Sequence, residues 1–220
     1  MRWMQKQLLF IVCVAALSSG GCASTRDFIS LELPETKLNG ATAGKVAIIR
    51  VVQDGRVFEE RPRDPSIPSL KGGLRNNPEE LRKSAIARKR DADGKVRGDV
   101  FLLEGQTVET VVRDLVGNAL AGSGYSVMET SSSPDAIIVD VTINKFWSWV
   151  LHGSWAYQFG AEIETTLAIK SGSKQYQFKT GADAAKGRYQ VVTVAAWKNV
   201  YGAAIEKYLE NTKAALADIL

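Results

Sequence analysis

Apolar and polar residues alternate strictly along two long stretches in the middle of the chain. Between Asp135 and Val150, Ile137, Val139, Val141 and Ile143 share one face, with Asp140, Thr142 and Asn144 opposite. After His152-Gly153 the alternation restarts with Trp155, Tyr157, Phe159, Ala161, Ile163, Thr165, Leu167 and Ile169, while Gln158, Glu162, Glu164 and Lys170 take the other side. Side chains alternate across a strand, so this period predicts two long strands in an antiparallel hairpin with one wet face. Ser171-Gly172-Ser173 then turns the chain into a third strand, Lys174–Ala182, with Tyr176 and Phe178 on alternate positions. The three form a meander.

Two other stretches change period. Val108, Val111, Val112, Leu115, Val116, Ala119 and Leu120 follow the i, i+3, i+4, i+7 stripe of an amphipathic helix. Thr107 is placed to cap it, Glu109 favours its dipole, and Gly122 and Gly124 end it. A second stripe runs from Thr193 to Leu220 through Val194, Trp197, Val200, Tyr201, Ala204, Ile205, Tyr208, Leu209 and Leu216. That helix is long enough to cross a sheet beside the first.

The remaining strands are shorter. Lys45–Val52 is dense in β-branched residues, and Tyr125–Thr130 makes a brief strand. Ser84–Lys89 and Lys95–Leu102 flank Arg90-Asp91-Ala92-Asp93-Gly94, where Asp-Gly suits a hairpin turn. Residues 53–83 carry Pro62, Pro65, Pro68, Pro78 and Gly72-Gly73. An irregular stretch of that length is usually functional or mobile. The order β, loop, α, meander, α predicts one α+β domain over residues 45–220, two-layered. Its sheet is expected to be mainly antiparallel, with two amphipathic helices on one face.

The first residues obey another logic. Arg2 and Lys6 precede the continuous apolar run Leu8–Leu17, and small residues lead to Cys22. Positive start, short apolar core and small-residue exit are the parts of a secretory signal over residues 1–21. Ten apolar residues make about 15 Å of helix, half a bilayer core, which argues against a permanent span. The stretch Leu17-Ser18-Ser19-Gly20-Gly21-Cys22-Ala23-Ser24 resembles a bacterial lipobox, although Ser19 stands where an aliphatic residue is usual. The resemblance implies a diacylglyceryl group on the Cys22 thiol and an acyl chain on its amine, enough to anchor the chain. Ala23 and Ser24 resemble the pattern sorted to the outer membrane. Residues 22–44 then read as an acylated tether, with Phe28–Leu33 as an alternative first edge strand.

Composition excludes more than it proposes. Hydrophobic residues make up 45% of 220 and charged residues 24%, which is ordinary for a globular chain. Removing Arg2 and Lys6 with the leader leaves 26 Lys plus Arg against 24 Asp plus Glu, too even for nucleic-acid binding. With Cys13 in the leader and Cys22 acylated, no thiol remains for a disulfide or a metal. His152, the sole histidine, adjoins Gly153 at a hairpin tip, a poor place for a shielded base. Asp91-Ala92-Asp93-Gly94 lacks the acidic twelfth ligand of a calcium loop, since Leu102 stands there. No catalytic residue, metal site, cofactor or small-molecule substrate is expected.

Two clusters suggest contacts. Phe146, Trp147, Trp149 and Trp155 crowd the long hairpin. Exposed, they suit a partner protein or a lipid interface; folded under the sheet, they are core. Alternation sends Trp147 and Trp149 to the face of Ile143, and Phe146 to the wet face. Residues 61–97 hold eleven Lys or Arg against five acids, and Arg88, Lys89 and Arg90 are candidates for touching an anionic surface. A solvated loop is the plainer reading.

The whole layout resembles the YajG-type family of small bacterial lipoproteins. The likeness rests on the leader, on Asp93-Gly94-Lys95-Val96, on Glu104–Tyr125 (EGQTVETVVRDLVGNALAGSGY), on the IIVDVTI strand with its hairpin, and on the closing helix. It implies a lipid-anchored protein on the periplasmic face of the outer membrane, a non-catalytic binding or assembly module with an unidentified envelope partner. A looser likeness, to lipoproteins that assist lipid-transport machines, implies a lipid-handling accessory instead.

Overall fold

A computed structural model describes residues 26–34, 45–131 and 133–219; Cys22 and the leader lie outside them. Eight strands form one sheet: β1 (Arg26–Ile29), β2 (Val46–Asp54), β3 (Ala85–Arg90), β4 (Val96–Leu102), β5 (Ser126–Met128), β6 (Ile137–His152), β7 (Tyr157–Ser171) and β8 (Lys174–Tyr189). Three helices accompany them: a single turn α1 (Glu79–Arg82), then α2 (Val108–Gly122) and α3 (Val194–Ile219).

The meander is the spine. β6 pairs antiparallel with β7 along its length, and β7 likewise with β8. The other edge of β6 is shared, with β2 running parallel to its first half and β3 meeting its second half at Ala87–Ser148. β5 extends the sheet beyond β2, and β4 then β1 extend it beyond β3. β1–β4, β2–β5, β2–β6 and β3–β6 are parallel pairs. The expected two-layer, mainly antiparallel sheet is therefore wrong. The protein has a curled, mixed sheet of half-barrel form. Sequence spacing reports the period of each strand but not its neighbour, and strands far apart in the chain supply the parallel pairs.

α2 and α3 pack against the inner face. Trp197, Tyr201 and Tyr208 of α3 are fully buried with Phe146 and Phe159 of the meander. Phe146 stacks on Tyr201 at 5.1 Å, and the Tyr201 hydroxyl donates to the Ile86 carbonyl at 2.7 Å. α2 starts as its sequence predicts: the Thr107 and Thr110 hydroxyls each accept the other's backbone N–H. Gly124, at φ 89°, supplies the left-handed residue that ends it. α3 also blunts the outer edge of β8, where Asn211 donates to the Gly181 carbonyl and Lys207 to that of Asp183.

β1 removes part of the expected tether. Arg26–Ile29 pairs with Asp99–Leu102, and Ile29 and Leu31 are buried in the main core. Of the alternative strand Phe28–Leu33, Phe28 and Ile29 lie in β1, and residues 30–34 are not strand.

A register shift between Ile143 and Lys145 breaks the parity of β6. One extra residue turns every following side chain to the opposite face. Ile137, Val139, Val141 and Ile143 point to the main core, but after the shift Phe146 and Val150 do so. The expectation for the aromatic cluster is thus reversed for Phe146, which is core, while Trp147 points outward. It is covered there by the 56–84 segment. Phe58, Leu70, Ala85, Phe101 and Trp147 make a second, smaller core, joined by Leu74, Leu81 and Trp149.

Arg56 holds the seam between β2 and β3. Gly55 donates its N–H to the Ile143 carbonyl just as β2 ends. Arg56 then sends its guanidinium inward, donating to the carbonyls of Phe146, Ala85 and Arg82 and to both Asp54 carboxylate oxygens. A buried guanidinium is tolerated because its donors are satisfied.

Candidate functional site

The supposed basic surface turns out to be internal bracing. Arg88 donates to the Leu70 carbonyl at 2.7 Å and lies 3.9 Å from Asp99, whose carboxylate accepts the Lys71 N–H. Burial raises the Asp99 pKa despite that N–H and Arg88, and burial lowers that of Arg88. Lys89 pairs with Asp27 at 3.0 Å, and Arg90 donates to the carbonyls of Pro62 and Gly94. Arg88 is buried and its neighbours are engaged, so the trio pins β1 and the 56–84 segment to β3. A run of cations reads as surface in a sequence because their acceptors here are mostly backbone carbonyls, which no sequence displays.

The four aromatic candidates do not form one cluster. Phe146 and Trp147 are both fully buried, in different cores. Trp149 is half-buried and lies over Gly160 of β7, where a Cβ would collide with its indole. Trp155 alone is free, 92% exposed in the turn between β6 and β7.

What gathers around Trp155 is set by strand direction. The turn is closed by the Gly153 N–H on the Ala156 carbonyl. Tyr157 pairs with Tyr189, which brings the β8–α3 connection to the same end of the sheet. The His152 Nε2 lies 2.8 Å from the Arg90 carbonyl, which brings the β3–β4 turn there too, with Nε2–H as donor. Leu151, Val191 and Val194 at this end are all exposed. Lys186 and Arg188 are exposed beside them. Between Asp140 and Glu162, and again between Asp183 and Glu206, the chain has no acidic residue. In the β3–β4 turn Lys95 and Arg97 face Asp93 and Asp91 at 3.9 and 2.6 Å, so that turn is close to neutral. The sheet end is apolar and aromatic, with a cationic margin.

Among the described residues, two of the larger open grooves lie along α2 and α3. One, about 1000 Å³, runs between α2 and the β5 edge past Ile49, Tyr125, Val127 and Met128. The other, about 600 Å³, lies between α3 and the end of β8, with Lys186 and Lys198 facing Glu32 and Glu206. Among the described residues no group of three His, Cys, Asp or Glu is placed to hold a metal ion.

No family model and no curated protein matches the chain. Solved structures offer likenesses of outline. A crystal structure of an uncharacterized protein aligns with 89% of this chain and 99% of its own, at 11% identity and TM-score 0.46. A Xanthomonas campestris protein under the family description DUF330 aligns over 85% of this chain and 92% of its own, at 13% identity and TM-score 0.38.

Proposed function

We propose that this chain is a lipid-anchored envelope protein of the YajG type, held by acyl groups on Cys22 at the periplasmic face of the outer membrane. The domain acts there as a non-catalytic binding or assembly module. The observation that carries the reading is the short interval between the lipobox-like cysteine and the fold. Cys22 stands four residues before Arg26, where β1 enters the sheet. Acylation at that position holds the folded domain against a bilayer rather than at the end of a long tether.

The lipid-handling alternative needs a cavity between helices and sheet. Phe146, Phe159, Trp197, Tyr201 and Tyr208 fill the space under α3, and the groove beside α2 is open rather than enclosed. An exposed sheet end fits a module that makes contacts better than one that encloses an acyl chain.

The test is Cys22→Ser in cells fed labelled palmitate. The expected result is a full-length precursor without label. Recovery of a processed, labelled variant in the membrane fraction would refute the anchor.

A further inference from the structure

We infer that the sheet end around Trp155 is a membrane-contact face, which seats its apolar residues at the headgroup level of an anionic lipid layer. The inference rests on the anchor proposed above and says how the anchored domain is oriented.

Three observations converge. The first is composition at one end of the fold. Trp155 is 92% exposed, with Leu151, Val191 and Val194 exposed at the same end. Tryptophan favours the bilayer interface, where its ring meets the apolar boundary and its N–H stays wet.

The second is charge. The β8–α3 connection contributes Lys186 and Arg188 and no acid between Asp183 and Glu206, while Lys145 and Lys198 are taken up by Glu162 and Glu32. Lys186 and Arg188 sit on the margin of the apolar end, as cations do when they meet anionic headgroups. A protein partner of opposite charge is the rival occupant. An unpaired tryptophan at the tip of a long hairpin favours lipid.

The third is where the chain enters. β1 runs parallel to β4, with Arg26 opposite Asp99, and Asp99 lies opposite Arg88 of β3. β3 runs parallel to β6, with Ala87 opposite Ser148. Arg26 is therefore level with about Trp149, and β1 enters from the Trp155 end. Four strand residues, about 13 Å, separate that level from Gly153. The four links from Arg26 back to Cys22 span at most about 14 Å. Acyl chains on Cys22 and the ring of Trp155 can reach one plane together. A second, weaker attachment on the same face orients a domain that the lipid anchor alone leaves free to swivel.

The test uses the full acylated protein in vesicles of phosphatidylethanolamine and phosphatidylglycerol. Ser154→Cys and Ser173→Cys, at the turns on opposite ends of the meander, are each labelled with a polarity-sensitive fluorophore. Lipids with nitroxide-bearing acyl chains are the quencher. The expected result is a blue shift and several-fold stronger quenching at position 154 than at position 173. Trp155→Ser with Arg188→Glu should remove most of that difference while vesicle retention stays unchanged. Equal quenching at both positions overturns the proposal, as does protection at position 154 that needs an added envelope protein. Mass spectrometry of the amino-terminal peptide separates the two claims. Absence of acyl groups refutes the anchor, whereas an acylated protein with an unquenched tip refutes only the contact face.

Discussion

The indole N–H of Trp147 donates to the backbone carbonyl of Pro65 at 3.2 Å, joining a central strand to the middle of the 56–84 segment. Phe58 meets the same indole edge-on at 5.8 Å. The Pro-rich segment is thus packed onto the sheet by one large ring.

Trp147→Ala should remove the centre of that outer core. The expected loss is about 3–5 kcal/mol in denaturant unfolding, the usual cost of deleting a buried aromatic. Limited trypsin digestion should then cut at Arg63, Lys71 or Arg75 in the native variant. Trp155→Ala, at an exposed position, should change stability by less than about 0.5 kcal/mol. Equal effects of the two substitutions would contradict the division between packed and free tryptophans.

Arg56 offers a second comparison. Arg56→Met leaves the Asp54 carboxylate without its partner and strips donors from three carbonyls, so a loss of about 3 kcal/mol or more is expected. Arg56→Lys keeps the charge but not the planar fork and should lose about 1–2 kcal/mol. Urea unfolding distinguishes the two. A lysine variant as stable as the parent would show that charge alone suffices at the seam.

Alkaline stability should depend on Tyr208. Burial pushes this phenol up to about 12, only partly offset by its hydrogen bonds with Thr165 and Thr212. The folded protein therefore holds the proton above the unfolded value of about 10. This contribution is fully present below pH ~10 and is lost as pH rises toward the folded value. Tyr208→Phe should cost about 1 kcal/mol near neutrality through the lost bond to Thr165. It should also flatten the alkaline decline, leaving the part due to Tyr201, whose phenol burial also raises. Unfolding midpoints across the alkaline range, parent against variant, measure both effects. An unchanged alkaline slope would contradict the assignment.

Much of the fold is written in residue spacing. The stripe Val108–Leu120, the cap at Thr107 and the alternation of Ile137–Ile143 all point to the elements that form. These are local signals, because helix and strand periods act over a few residues. Pairing is not local. Nothing near Val46 or Ala87 says that each will run parallel to β6, so the sheet was misread as mainly antiparallel. The bulge after Ile143 was also silent, since Asn144 and Lys145 are as plausible on a regular wet face as at an irregularity. One missed residue exchanged the roles of Phe146 and Trp147. At the candidate site Trp155 was legible as an aromatic near a turn. Val191 and Val194 were not, because their place beside it depends on β8 running seven residues past the expected end at Ala182.

The half-step in β6 also explains how the outer core exists. Were the strand regular throughout, the side away from the helices would carry Phe146, Ser148 and Val150, and Trp147 would join the interior. The 56–84 segment would then land on a different set of shapes, and Arg56 would meet a differently aimed carbonyl. A single inserted position thus lets one continuous strand belong to two neighbourhoods. Removal of Asn144, the unpaired position, would straighten the strand yet leave Ile143 and Phe146 on one face and Trp147 on the other.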